Sequence, residues 1–99
     1  RPPVATPAPV GDRTPSFRDK FGGYWIWYLQ MPSTAIIIER TEDGDPTYAC
    51  RADHQGYFLE GFFIESYADE KGPYCSIYVD DKWLKKYEFQ ILVSKRPGT

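Results

Sequence analysis

Residues 47–63, TYACRADHQGYFLEGFF, decide the fold class of this chain. The side chains of residues 47–52 alternate between two faces, which is the period-two pattern of a β-strand. Residues 53–56 (DHQG) have the composition of a turn, and residues 57–67 continue as a second β-type run. Gly61 inside this second run predicts a bulge or a bend. The stretch therefore predicts two successive strands, the second of them irregular at its centre.

The same pattern extends on both sides of this stretch. Further β-type runs, separated by turn residues, lie at 24–31, 34–40, 74–79 and 87–94. No stretch shows the period of an amphipathic helix. Short strands at this spacing are typical of a sandwich or a barrel, and aromatic residues make up 17% of the chain. We expect an all-β fold, a six-stranded antiparallel β-sandwich of two small sheets around an aromatic core.

The N-terminal part has a different composition. Residues 1–23 contain five of the nine prolines and almost no apolar periodicity. This composition predicts a flexible, proline-rich leader of polyproline II character, followed by a β-sandwich domain over residues 24–99. Because the chain begins at Arg1 rather than Met, we expect any targeting segment to have been removed already.

The chain has two cysteines, Cys50 and Cys75, each of which shares its predicted strand face with apolar residues. They permit one intramolecular disulfide, between the third and fifth predicted strands inside the core. The alternative is two buried free thiols, since cysteine is among the most buried residue types. We favour the disulfide, because small aromatic-rich β domains are common outside the cell. The sequence thus predicts a secreted protein.

Charge and hydropathy exclude some classes of partner. The formal net charge is −2, whereas binding to nucleic acid or to an anionic membrane surface calls for a basic stripe. No apolar run reaches the roughly 20 residues needed to cross a bilayer. We therefore predict no nucleic-acid partner and no membrane partner.

No complete catalytic or metal-binding constellation is visible in the sequence. The single histidine, His54, stands in a polar turn with no identified nucleophile, and it has no partners at metal-ligand spacing. The acidic residues of 42–45 (EDGD) lack the spacing of an EF-hand and suit a solvated turn. We predict no cofactor, no metal and no enzymatic activity.

The best local candidate for binding is the stretch 83–87, WLKKY. Trp83, Lys85, Lys86 and Tyr87 combine aromatic anchors with cations, which is the composition of binding hot spots. The alternative is a loop whose Trp83 packs back onto the core while its lysines are solvated. We predict that these four residues contact a partner.

The chain resembles the MAX effectors, small secreted virulence proteins of plant-pathogenic fungi. The features that carry the resemblance are the aromatic first strand 24–28 (YWIWY), the tail 95–98 (KRPG), the six predicted strands and the two cysteines. One departure is that members commonly place a cysteine in or near strand one, where Tyr24 and Trp25 stand here. The resemblance implies a non-catalytic protein that binds host proteins.

Two other resemblances remain as alternatives. Residues 27–30 (WYLQ) and 48–50 (YAC) are similar to strands of the immunoglobulin superfamily, although no cysteine precedes Trp27. Residues 87–92 (YEFQIL) are similar to the strand that carries the catalytic glutamate of fungal guanyl-specific ribonucleases. That resemblance would make Glu88 a base and His54 its electrostatic partner, but no downstream histidine follows to act as general acid.

From these observations we expect a secreted, monomeric fungal effector that binds host proteins without catalysis. Recognition would use either an exposed strand edge that accepts a partner strand, or the region 83–87.

Overall fold

A computed structural model describes residues 16–96, which form one antiparallel sheet and a short helix. The helix α1 spans Phe17–Phe21, and a 3₁₀ turn lies at Glu65–Tyr67. The strands in chain order are β1 (Tyr24–Trp27), β2 (Ile37–Arg40), β3 (Pro46–His54), β4 (Tyr57–Phe63), β5 (Cys75–Val79), β6 (Lys82–Lys86) and β7 (Gln90–Val93). The prediction of a flexible leader concerns residues 1–23, of which 1–15 lie outside the described residues.

The prediction of an all-β fold is confirmed, but the strand and sheet counts differ from it. The described residues form seven strands in a single sheet, in the order β1-β7-β3-β4-β5-β6, with β2 paired to β3. The long strand β3 organises this sheet, since β4 follows one of its edges while β2 and β7 share the other. The structure therefore has seven strands in one sheet, where the sequence predicted six strands in two sheets.

The additional strand is β6, which forms a hairpin with β5. Val79 pairs with Lys82, so Asp80 and Asp81 are the two central residues of the turn. Their φ angles are 54° and 64°. A two-residue turn with both φ values positive matches the twist of the flanking strands, and aspartate tolerates this conformation without glycine. The sequence pattern predicted the strand at 74–79 but no strand at β6, since the turn between them lacks the glycine that usually signals a hairpin.

The sheet folds over at β4. Cys50 on β3 and Cys75 on β5 are joined by a disulfide, and their Cα atoms are 6.0 Å apart although β4 lies between their strands. Adjacent strands are about 4.8 Å apart, so a flat sheet would separate the two Cα atoms by roughly 10 Å. Gly61 pairs with both Cys50 and Ile77 at this point. The predicted disulfide is thus confirmed, and the predicted irregularity at Gly61 is the bend that permits it.

The core fills the space enclosed by the bent sheet. Its fully buried members are Cys50, Ala52, Phe63, Cys75, Ile77, Phe89, Ile91 and Val93. Tyr28 closes this core: its ring stacks on Phe89 and meets Phe63 edge-on, with centroid distances of 4.9 Å to each. Burial raises the pKa of Tyr28, with a smaller contribution from Glu65. Ile91 and Val93 of β7 and the preceding Phe89 belong to this core, and all four residues of β7 are buried.

Helix α1 lies in the segment that composition assigned to the leader. Its first turn is a capping box, in which the Ser16 hydroxyl accepts from the Asp19 N–H and the Asp19 carboxylate accepts from the Ser16 N–H. The helix contacts the sheet through Phe17, whose N–H donates to Glu60 Oε1 at 2.9 Å and whose ring lies edge-on to Phe62. A helix of five residues is too short to produce a periodic signal, so sequence analysis missed it.

Candidate functional site

Three of the residues predicted to bind a partner, Trp83, Lys85 and Lys86, lie on β6, the last strand of the sheet order, and Tyr87 follows that strand. Trp83 and Lys85 share one face of this strand because side chains alternate, and Leu84 on the opposite face packs against the core. Trp83 is 57% exposed, and its ring lies 5.1 Å from that of Tyr78, which is 56% exposed. The structure therefore places the predicted anchor in an edge strand rather than in a loop.

Two of the four predicted residues, Lys85 and Tyr87, are engaged by Asp69. Its Oδ2 accepts from Lys85 Nζ at 3.0 Å and from the Tyr87 hydroxyl at 2.8 Å, and its Oδ1 accepts from the Lys71 N–H at 2.9 Å. These bonds, that of Tyr87 first, lower the pKa of Asp69 to about 2 and raise the pKa of both side-chain donors. Lys85 also lies 4.7 Å from the ring of Tyr74. This network fixes the β4–β5 connection beside β6.

A groove with aromatic walls adjoins Trp83 on the same face. Its volume is about 340 Å³. It is lined by Phe62, Tyr67, Tyr74 and Trp83 together with residues of β2, β3 and β5. We call Trp83, Tyr78 and Lys85, which share one face, the β6 surface. The groove extends this surface toward the centre of the sheet.

A second cluster, which sequence analysis did not identify, surrounds Arg51 on β3. Its guanidinium lies 4.9 Å from the ring of Trp25 and 4.3 Å from that of Phe58, and its Nε donates to Gln90 Oε1 at 2.7 Å. Partial burial lowers the pKa of Arg51, and Glu60 opposes this effect. Three strands thus hold one guanidinium in a fixed position among aromatic rings.

Two more arginines, one near each end of the described chain, line the same cavity as Arg51. A cavity of about 560 Å³ is lined by Arg18, Tyr24, Trp25, Ile26, Arg51 and Arg96. We call this cavity the arginine pocket. Arg18 lies in α1, and Arg96 follows β7, which pairs with β1 and so brings the two ends together. No sequence signal marked this pocket, because Arg18 lies in the segment predicted to be a flexible leader and Arg96 lies beyond the last predicted strand.

The remaining candidates for chemistry lie outside the two clusters described above. Half-buried His54 ends β3, and Glu88 lies exposed between β6 and β7. Within residues 16–96, no group of three or more His, Cys, Asp or Glu side chains is placed to hold a metal ion. No helix in this part of the chain is long and apolar enough to cross a membrane.

Comparison with known proteins identified no relative of this chain. The chain matches no family model, no curated protein and no solved structure. The arguments for function therefore rest on the geometry of the β6 surface and of the groove with aromatic walls.

Proposed function

We propose that this chain is a secreted effector of the MAX type, from a plant-pathogenic fungus, that binds a host protein without catalysis. In this proposal the partner adds an extended segment to the free edge of β6 and packs against Trp83. The observation that carries the proposal is that β6 ends the sheet order within residues 16–96 and bears an exposed tryptophan. An open edge offers main-chain hydrogen bonds, and an exposed aromatic beside it supplies an anchor.

The position of β6 joins two modes of recognition on one element. Pairing along the strand edge and contact with the region 83–87 both involve β6 (Lys82–Lys86). Since β5 occupies one edge of β6, a partner strand would approach the other. Such a strand would lie beside Trp83 and could place its own side chain against Tyr78 or the aromatic groove.

The charge of β6 indicates the chemistry of the partner that it would bind. Three of its five residues are lysines, and Lys85 is already paired with Asp69, so the positive charge offered to a partner is that of Lys82 and Lys86. Lysines on an edge strand prevent indiscriminate pairing with other strands. A partner segment that carries acidic side chains would compensate this positive charge. We therefore infer that β6 selects an acidic extended segment.

The disulfide supports the extracellular part of the proposal. Cys50 and Cys75 are bonded at the centre of the core, and such bonds persist in oxidising compartments. We also infer that the bent sheet functions as the two layers of a sandwich, with β6 at the rim of one layer. In that arrangement the rigid core holds the β6 edge ready for pairing.

The experiment is capture from leaf extract of a host plant by the immobilised, oxidised chain. Three forms are compared: wild type, Trp83→Ala and Trp27→Ala. Trp27 is a matched control because it is 53% exposed but lies on β1, at the other end of the sheet. We expect one captured protein to bind wild type and Trp27→Ala equally and Trp83→Ala about 30-fold more weakly, as for a tryptophan hot spot. Equal capture by all three forms would refute the assignment to β6.

A further inference from the structure

The aromatic groove beside β6 combines four aromatic rings with a carboxylate. Its lining includes Phe62, Tyr67, Tyr74 and Trp83 together with Glu39 of β2. The rings of Phe62 and Trp83 lie 6.3 Å apart at an interplanar angle of 49°, so they meet as two walls rather than as a flat stack. The face of an aromatic ring is electron-rich, and several rings around one space attract a cation.

One ring of the groove already receives a cation from the protein. Lys85 Nζ lies 4.7 Å from the ring centroid of Tyr74. The same ammonium is paired with Asp69 Oδ2 at 3.0 Å. Because this pair neutralises the lysine, it would repel a second cation in the groove only weakly.

The two charged side chains at the rim of the groove differ in their partners. Arg40 Nη1 donates to the carbonyl oxygen of Gly44 at 2.9 Å, which ties that guanidinium to the β2–β3 connection. Within residues 16–96, the side chain of Glu39 has no hydrogen bond and no ion pair. The Glu39 carboxylate is exposed and therefore open to a cationic ligand.

The lining also indicates which kind of cation fits. A primary ammonium carries three N–H donors, each of which needs an acceptor when it leaves water. Aromatic walls supply few acceptors. A quaternary ammonium has no N–H donor, and its methyl groups pack on aromatic faces while its charge interacts with them. The volume of about 340 Å³ is near the lower end for small-molecule sites, which favours a ligand of few atoms.

We propose that the aromatic groove binds a free quaternary ammonium compound of the size of choline. The methyl groups would lie among the rings of Phe62, Tyr74 and Trp83, with the positive charge toward Glu39. This site shares Trp83 with the β6 surface but needs no partner strand, so the proposal goes beyond recognition at the β6 edge.

The test is titration of the oxidised chain with choline at constant ionic strength, followed by NMR of the tryptophan indole N–H signals. Two probes serve as controls. 3,3-Dimethyl-1-butanol replaces the nitrogen of choline by carbon and has no charge, and ethanolamine keeps the charge but has no methyl groups. We expect saturable binding of choline that shifts the Trp83 signal, about tenfold tighter than that of either control probe. Absence of saturation, or a control probe that binds as tightly as choline, would overturn the proposal.

Substitutions assign the binding to the groove. We expect Trp83→Ala and Tyr67→Ala each to weaken choline binding about tenfold, and Glu39→Gln about threefold, since an exposed carboxylate contributes less. The matched controls are Trp27→Ala on β1 and Asp53→Asn on β3, which should leave the affinity unchanged. Tyr67 lies off β6, so Tyr67→Ala should weaken choline binding without affecting capture of a protein partner by the β6 edge. Equal choline affinity in the groove variants and the controls would contradict the assignment.

Discussion

Gly61 lies where the sheet folds over, between Cys50 and Ile77. A Cβ atom at this position would collide with the backbone carbonyl of Ser76. Side-chain atoms added to a packed interior cost about 1–3 kcal/mol, and here the obstacle is backbone that cannot rotate away. The close approach of two strands thus explains why this position holds glycine.

We expect Gly61→Ala to lower the free energy of unfolding by about 3 kcal/mol. The control is Gly56→Ala in the β3–β4 turn, where φ is +90° but no atom lies within 4 Å of the new Cβ. That change introduces backbone strain of about 1 kcal/mol without a collision. Urea denaturation of the oxidised variants measures both effects. A loss at Gly61 no larger than that at Gly56 would contradict the steric account.

Asp69 makes the stability of the chain depend on pH in the acid range. Hydrogen bonds from Tyr87 and Lys85 hold its pKa at about 2, below the usual 3.8. The folded state therefore binds a proton less readily than the unfolded state does. The contribution of Asp69 to stability is complete above pH 4 and is lost as the pH falls toward 2.

Urea midpoints of wild type and Asp69→Asn between pH 2 and 6 test this assignment. We expect wild type to be the more stable at pH 6, and the difference to shrink steadily below pH 4. Glu70→Gln removes a neighbouring exposed carboxylate and serves as the control. A difference that stays constant between pH 6 and pH 2 would show that the Asp69 carboxylate does not act through its charge.

At the scale of elements, the disulfide fastens β3 to β5 across the bend in β4. The two cysteines are 25 residues apart in sequence. In the chain-entropy description, closing a loop of this length stabilises the fold by about 3.5 kcal/mol. We expect the Cys50→Ala/Cys75→Ala variant to lose about this amount. Oxidised wild type and the double variant are compared by urea denaturation, and equal midpoints would contradict the expectation.

The elements also show how far the sequence predicts this fold. The alternation of side chains predicts the hairpin of β3 and β4 and the core face of β7. The number of cysteines predicts the disulfide. The hairpin of β5 and β6 is not predicted, because aspartates occupy its turn where glycine is the usual signal. The number of sheets also cannot be read from strand patterns, since it depends on pairings between distant strands.

At the scale of the whole molecule, the sequence predicted one of the two candidate sites. Residues 83–87 were predicted from composition, although Lys85 and Tyr87 are engaged by Asp69. The arginine pocket was missed, because Arg18 and Arg96 are far apart in sequence and meet only when β1 pairs with β7. A site assembled from the two ends of a chain leaves no local motif.

The two sites lie at different places on the sheet. The β6 surface lies at one end of the strand order, and the arginine pocket lies around β1 at the other. Strand β6 offers an edge with lysines and an exposed tryptophan, which suits an extended segment. The pocket holds the Arg51 guanidinium among aromatic rings.

Hydrogen–deuterium exchange tests the central proposal, recognition at the β6 edge, most directly. The oxidised chain is measured alone and with the host protein obtained by Trp83-dependent capture. We expect slower exchange in β6 (Lys82–Lys86) on binding, because a partner strand would pair with its free edge, and unchanged exchange in β1 (Tyr24–Trp27). Protection confined to β1 or to another part of the sheet, with β6 unchanged, would contradict the account.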